Sequence, residues 1–206
     1  MSRHQSGITM VIVLVWLMAV SLLALSALQI SLQDQKAARS YRDREAAFQA
    51  AEAGLRDAEL DIEGSPEPHL SRSTLFAGNS KAGFPDEVGD DCQRGVSNLY
   101  QGLCRQSVDA DAPSWLQVVQ HGQDGARHDR DVAVPYGRFT GRSMQTGVGA
   151  LPAKLPRYLI ELMPYRQAGY SAEHPEYFYR VTAIGFGAEP ASEVVLQTFY
   201  RKGSLP

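Results

Sequence analysis

Cysteine and tryptophan are scarce, with two of each in 206 residues, and no proline occurs before Pro66. So few cysteines exclude a disulfide-dense scaffold, and the absence of a glycine repeat excludes a collagen-like one. Neither sign of charge is in large excess: 20 Lys and Arg stand against 23 Asp and Glu, for a net charge of −3. A dedicated nucleic-acid binder is usually markedly basic, so that class falls away. The chain is 44% hydrophobic and 21% charged, with a mean hydropathy of −0.26. These averages describe an ordinary soluble domain and exclude a strongly disordered chain. The length allows one domain with an appendage, or two small domains.

The most informative absence is local. From His4 to Gln33 there is no Asp, Glu, Lys or Arg, whereas Asp34 to Glu63 holds thirteen. Inside the charge-free stretch, Ile8 to Leu28 has only Thr9, Ser21 and Ser26 as polar residues. As a helix rising about 1.5 Å per residue it spans about 31 Å, which matches a hydrocarbon core. Arg3 is the only charged side chain before it, so the positive-inside rule favours a cytoplasmic N-terminus. Three readings compete for this segment. A secretory signal peptide needs a shorter apolar core and a small-x-small cleavage site, and Leu25-Ser26-Ala27 puts leucine where a small residue is required. A plain signal-anchor helix is the second. The third is a cleaved leader, Met1 to Gly7, whose final glycine lets a peptidase approach the backbone directly before Ile8.

The helical pattern continues past the apolar stretch. Gln29 to Glu63 contains no proline, and Gly54 is its one poor helix former. Apolar residues recur at Tyr41, Phe48, Ala51, Leu55, Ala58 and Ile62, the spacing of one helix face. Arg39 with Asp43 and Glu52 with Arg56 stand four apart, where opposite charges support an exposed face. Gly64-Ser65-Pro66 supplies the stop. Glu59, Asp61 and Glu63 lie at the negative end of the helix dipole, so the last turn should fray unless packing holds it. A separate coiled coil would carry larger apolar residues over several heptads. The alanine-rich face instead suits a helix lying against a sheet, with Phe48, Leu55 and Ile62 as packing residues. One helix from Ile8 to Glu63 would be about 84 Å long.

These residues resemble a known family. Gly7 before Ile8, the unbroken apolar helix, and the run from Arg42 through Ala46, Ala47, Phe48 and Gly54 to Glu59 look like the N-terminal region of PilX-family minor pilins, low-abundance subunits of bacterial type IV pili. Gly102-Leu103-Cys104 followed by Trp115, and Tyr179 to Gly187 with Val194 to Arg201, resemble the family's later segments. The resemblance implies a type IV pilin-like α+β fold, with a long N-terminal helix, a variable connecting region and a C-terminal antiparallel sheet. It implies that a prepilin peptidase cleaves after Gly7 and methylates Ile8. Most pilins carry glutamate at the fifth mature residue, where it pairs with a neighbour's N-terminal amine; here Ile12 stands there. An unpaired carboxylate in an apolar bundle costs several kcal/mol, so a subunit with no neighbour ahead of it gains nothing from one. Ile12 therefore suits the tip, where growth begins, with chance loss as the alternative.

The organisation expected is a leader over 1–7, a membrane or filament-core helix over 8–28, an amphipathic continuation over 29–63, a loop-rich region over 64–156 and a sheet over 157–206. Gly64 to Pro156 holds 12 of the 18 glycines and 7 of the 11 prolines. With the N-terminus inside, Cys92 and Cys104 lie on the oxidising side and most simply form one disulfide, worth about 3 kcal/mol. Two reduced thiols and a metal pair are the alternatives, and no further cysteine or suitably spaced histidine supports the metal. Tyr158–Met163, Tyr177–Ile184 and Val194–Arg201 read as strands, separated by Pro164, Pro175, Gly185, Gly187 and Pro190, and Trp115 to Val119 is a further candidate.

Candidate chemistry is sparse. His121, Asp124, His128, Asp129 and Asp131 form the densest polar group, yet their spacing fits neither an EF-hand nor a zinc-protease helix, and Arg127 and Arg130 would repel a cation. Asp86, Glu87, Asp90 and Asp91 before Cys92 suit weak calcium binding or a plain charged loop. No nucleophile elbow or phosphate-binding loop is present, and Gly185-Phe186-Gly187 reads as isolated turn glycines. His4, His69 and His174 have no evident catalytic partner.

The expectation is thus a non-enzymatic minor pilin with no cofactor, no metal and no nucleic acid. By the resemblance its partners are other minor pilins, the major pilin, the prepilin peptidase, the inner-membrane assembly platform and a large tip adhesin. It would wait in the inner membrane, head in the periplasm, before reaching the pilus tip. A tip pseudopilin of a type II secretion system shares the leader and the missing glutamate, but often carries a larger insertion than 64–156. A signal-anchored periplasmic enzyme or sensor using His121 to Asp131 is the rival from another class.

Overall fold

In the computed structural model, residues 8–86, 91–107, 113–116, 131–165 and 176–203 are described. Helix α1 runs unbroken over Ile8–Glu63. The chain divides into two units, Met1–Arg42 and Asp43–Pro206. In the first unit the described side chains of the helix are exposed throughout.

The second unit is the head. The last five turns of α1 face a sheet of five strands: β1 (Leu103–Arg105), β2 (Val134–Pro135), β3 (Arg157–Tyr165), β4 (Glu176–Phe186) and β5 (Glu193–Tyr200). Strands β3, β4 and β5 form an antiparallel meander, with Tyr158 opposite Ala183 and Ala183 opposite Leu196. The C-terminal sheet is antiparallel as expected, and two short strands from the connecting region make the sheet as a whole mixed. β1 joins β3 in parallel, with Leu103 opposite Ile160, while β2 pairs antiparallel with β3 at Val134 and Tyr158. The physical reason lies in the short loop closed by Cys92 and Cys104. Across the loop Gln93 N–H donates to the Leu103 carbonyl and Gly102 N–H donates to the Gln93 carbonyl, and the Gly102 carbonyl accepts from Ile160 N–H at 2.8 Å, which seats the three residues of β1 on the β3 edge. Proline and glycine also separate the strands less than expected, since β3 continues through Pro164 and β4 through Gly185.

Strand alternation creates two cores. On the helix side, Ala58 and Ile62 meet Tyr158, Ile160, Tyr179 and Val181. Phe76, from a 3-10 segment over Ser73–Asn79, and Phe84 close this core, with Phe84 stacked on Tyr179 at 5.8 Å. On the far face, Leu159, Ile184 and Phe186 are covered by Cys92, Cys104, Val132 and Trp115. Pro113–Leu116 is a turn carried by Leu116 N–H to the Pro113 carbonyl, so the start of the candidate strand at Trp115 is not one; its remainder lies outside the described residues.

Glycine explains how closely the helix lies on the sheet. A Cβ added at Gly185 would sit 2.2 Å from both the Ala47 carbonyl oxygen and the Ala51 nitrogen. Only a bare backbone fits there, and only alanine fits opposite it. The stripe turned to the sheet is accordingly Ala47, Ala50, Ala51, Gly54, Ala58 and Ile62, all buried. Leu55 is half-buried against the core edge, and Phe48 stays 39% exposed. A phenylalanine cannot enter a gap that a single methyl would overfill, so Phe48 is displaced to the rim.

Candidate functional site

The first unit offers an apolar helical surface as its chemical feature. Met10, Ile12, Trp16 and Leu23 are each more than half exposed, Ile12 at 51%. A continuous apolar surface of this size is not stable in water and must be covered by lipid or by similar helices. Among the described residues, this is the one helix long and apolar enough to cross a membrane, by length and composition. Its hydroxyls do not disturb that role. Ser21 donates to the Leu17 carbonyl at 2.7 Å and Ser26 to the Leu22 carbonyl at 3.0 Å, so both are satisfied within the helix. Gly7 lies outside the described residues, and Ile8 opens α1.

In the head, the polar groups are arranged for support. Arg72 and Asp61 form an ion pair with no solvent exposure on either side chain. Arg72 Nε and Nη2 donate to the Asp61 carboxylate at 2.7–3.1 Å, and Nη1 donates to the Leu99 and Gln101 carbonyls at 2.8 Å. Its guanidinium lies 3.7 Å from the Phe139 ring centroid. Tyr158 O–H donates to Asp61 Oδ2 at 2.9 Å, and burial pushes its phenol well above the usual tyrosine range. One arginine thereby ties α1 to the connecting region, with its buried donors satisfied.

One turn earlier on α1, Asp57 accepts from Gly137 N–H at 2.7 Å and from the Thr140 hydroxyl. Burial raises its pKa, against the lowering effect of those two bonds. Asp43 behaves oppositely: the Ser192 hydroxyl, then the Glu189 N–H at 2.9 Å, hold its carboxyl below the usual range. The acidic end of the helix is held as well. Lys202 Nζ donates to the Ile62 and Ser73 carbonyls at 2.8 Å, and Tyr200 O–H donates to Glu63 at 2.7 Å. A cation from the chain end thus complements the negative pole of α1.

Cys92 and Cys104 form a disulfide. Of the acidic groups weighed for metal binding, Asp91 pairs with Arg105 at 2.6 Å and Asp131 with Arg157 at 2.5 Å. Glu87, Asp90 and the segment from His121 to Arg130 lie outside the described residues. Among the described residues no group of three His, Cys, Asp or Glu side chains could hold a metal ion. His69 stands 3.7 Å from Glu67 in an exposed pair. The sequence pattern missed Asp57, Asp61 and Arg72 because charge on a helix face and in a turn reads as solvated. The only signal was two aspartates four apart on the stripe that also carries Leu55, Ala58 and Ile62.

These features define a class: an α+β head continuous with an N-terminal helix apolar enough to cross a membrane. Two family models then match the chain, the PilX N-terminal model over residues 6–56 and the C-terminal model of the type IV pilus assembly protein PilX over residues 100–202. The chain belongs to the PilX family of type IV pilus assembly proteins. Nothing among the curated proteins or the solved structures matches it.

Proposed function

We propose that this chain is a minor pilin, a structural subunit without catalytic activity that primes pilus assembly and sits at or near the tip. The supporting observation is Ile12. An isoleucine stands, exposed, in a charge-free helical surface at the place where the family resemblance leads one to expect a glutamate. Such a subunit can lie at the head of a helical bundle without leaving a carboxylate unpaired in an apolar core. In this reading the prepilin peptidase cleaves after Gly7 and methylates Ile8. The apolar helix holds the protein in the inner membrane, with its head in the periplasm, until it passes to the filament. Partners are the other minor pilins, the major pilin, the assembly platform and a tip adhesin.

The test is the mature N-terminus. Mass spectrometry should find methylated Ile8, and the full leader when the prepilin peptidase is absent; an intact Met1 in normal cells would overturn the reading. For the tip position, Ile12→Glu should impair piliation while leaving the protein's level unchanged. Normal piliation by that variant would remove the support Ile12 gives.

A further inference from the structure

Arg72, Arg105, Arg157, Arg180 and Arg201 of the head each stand 2.5–2.8 Å from a carboxylate. Arg138 differs. It is half-buried, and among the described residues no carboxylate pairs with it. Its Nε is buried without a partner, and its Nη2 reaches the Asn98 carbonyl only at 3.5 Å. That carbonyl already accepts from Gln101 N–H at 3.2 Å. Arg138 also shares the Phe139 ring with Arg72, at 5.0 and 3.7 Å from the centroid. Burial, then the Arg72 guanidinium, lower the Arg138 pKa, against the raising effect of Tyr158. A cation held this way is short of both opposing charge and hydrogen-bond acceptors, which groups withdrawn from water ordinarily have.

The atoms left over define what completes it. Because Nε is buried, an anion reaches Arg138 through its Nη1–Nη2 end, a planar fork that matches the two oxygens of a carboxylate. A phosphate carries close to two charges and calls for more than one cation, and the neighbouring guanidinium is not free. Arg72 is fully buried and spends its donors on Asp61 and on the Leu99 and Gln101 carbonyls. Next to Asn98 the surface is apolar: Leu99 is 48% exposed and Tyr100 38%. Arginine and tyrosine are enriched among the residues that carry protein–protein binding energy. One cation with an apolar margin therefore fits a single acidic side chain on a protein surface. An anionic lipid surface would call for a cluster of cations instead.

We propose that Arg138, with Leu99 and Tyr100 beside it, docks an Asp or Glu side chain of another protein of the pilus assembly. The carboxylate takes the open end of the guanidinium, and apolar residues next to it in the partner cover Leu99 and Tyr100. The contact uses the head alone and is independent of the tip position.

Photo-cross-linking in piliating cells tests it, with p-benzoylphenylalanine in place of Leu99 in the full-length chain. Illumination should give a protein adduct. Arg138→Gln should lower its yield about ten-fold and Arg138→Glu further, whereas Arg138→Lys, which keeps the charge, should retain more of it than Arg138→Gln. Mass spectrometry of the adduct should find an Asp or Glu close in sequence to the attached residue. Changing that acid to Arg should cost the adduct on its own and restore it when combined with Arg138→Glu. A merely structural Arg138 would gain nothing from a change in the partner, so this swap decides the matter even if a variant melts early. Thermal melting of Arg138→Gln in detergent should stay within about 2 °C of the wild type. The absence of an adduct overturns the inference. So does equal yield in Arg138→Gln, a contacted segment without Asp or Glu, a charge swap that restores nothing, or attachment to phospholipid.

Discussion

Replacing Arg72 by methionine isolates the main polar support of the head. Methionine fills most of the arginine stem, so the change removes the guanidinium without opening a large cavity. It leaves the Asp61 carboxylate fully buried, still accepting from Tyr158 O–H but with no opposing charge from Arg72. It also strips the Leu99 and Gln101 carbonyls of the donors that hold them at 2.8 Å. Breaking one side of a buried ion pair costs about 3–5 kcal/mol, most of it the burden of an uncompensated charge. For a domain of this size each kcal/mol lowers Tm by about 2–4 °C, so Arg72→Met should melt about 6–20 °C below the wild type. Near-UV circular dichroism of the full-length protein in detergent reads the transition. Asp61→Asn on the Arg72→Met background should recover part of the loss, because it removes the charge that the first change stranded. A melting point for Arg72→Met within about 2 °C of the wild type would refute the reasoning, since the pair would then be no more than a surface contact in energy.

Three further outcomes follow from the same geometry. Gly185→Ala places a methyl 2.2 Å from helix backbone atoms and should destabilise the head by about 3 kcal/mol, read by thermal melting, whereas Gly203→Ala, with nothing within 4 Å, should be neutral. Changing both Cys92 and Cys104 to serine should lower stability by about 3 kcal/mol in urea titration, because the unfolded chain regains the entropy of the 12-residue loop. The Asp57 carboxyl titrates above its unfolded value, so the native state holds its proton longer and its contribution to stability falls as pH rises through and beyond about 4. Asp57→Asn, which still accepts from Gly137 N–H, should therefore gain in Tm relative to the wild type as pH rises above about 4; a constant difference across pH would contradict this.

Local chemistry is the most legible part of this chain. A charge-free run ending at Asp34 needs only the cost of placing charges in hydrocarbon to be read as a spanning segment. Gly64-Ser65-Pro66 ends the helix because neither glycine nor proline supports it, and α1 does end at Glu63. The three C-terminal strands announce themselves by their β-branched and aromatic residues, and the structure has all three. The family resemblance, carried by side chains from Arg42 to Glu59, agrees with the two family matches.

What depends on distant residues meeting was hidden. Phe48 looked like a core residue because its period is right, yet the gap between α1 and β4 is set by Gly185, far along the chain. The acidic helix end looked frayed, yet Lys202, far along the chain, reaches the Ile62 carbonyl in its last turn. The parallel placement of β1 follows from a loop closed by Cys92 and Cys104 lying on the edge of β3, and no local propensity encodes strand direction. Asp61 and Arg72 read as surface charges until the fold removed water from both.

By itself, then, the sequence determined which segments are apolar, helical or extended, because those properties depend on neighbours within a few residues. The tertiary structure alone decided how close the helix lies to the sheet and which charges are buried. Those outcomes depend on the distance between backbones and on access to water, and both come into being only when remote parts of the chain are brought together.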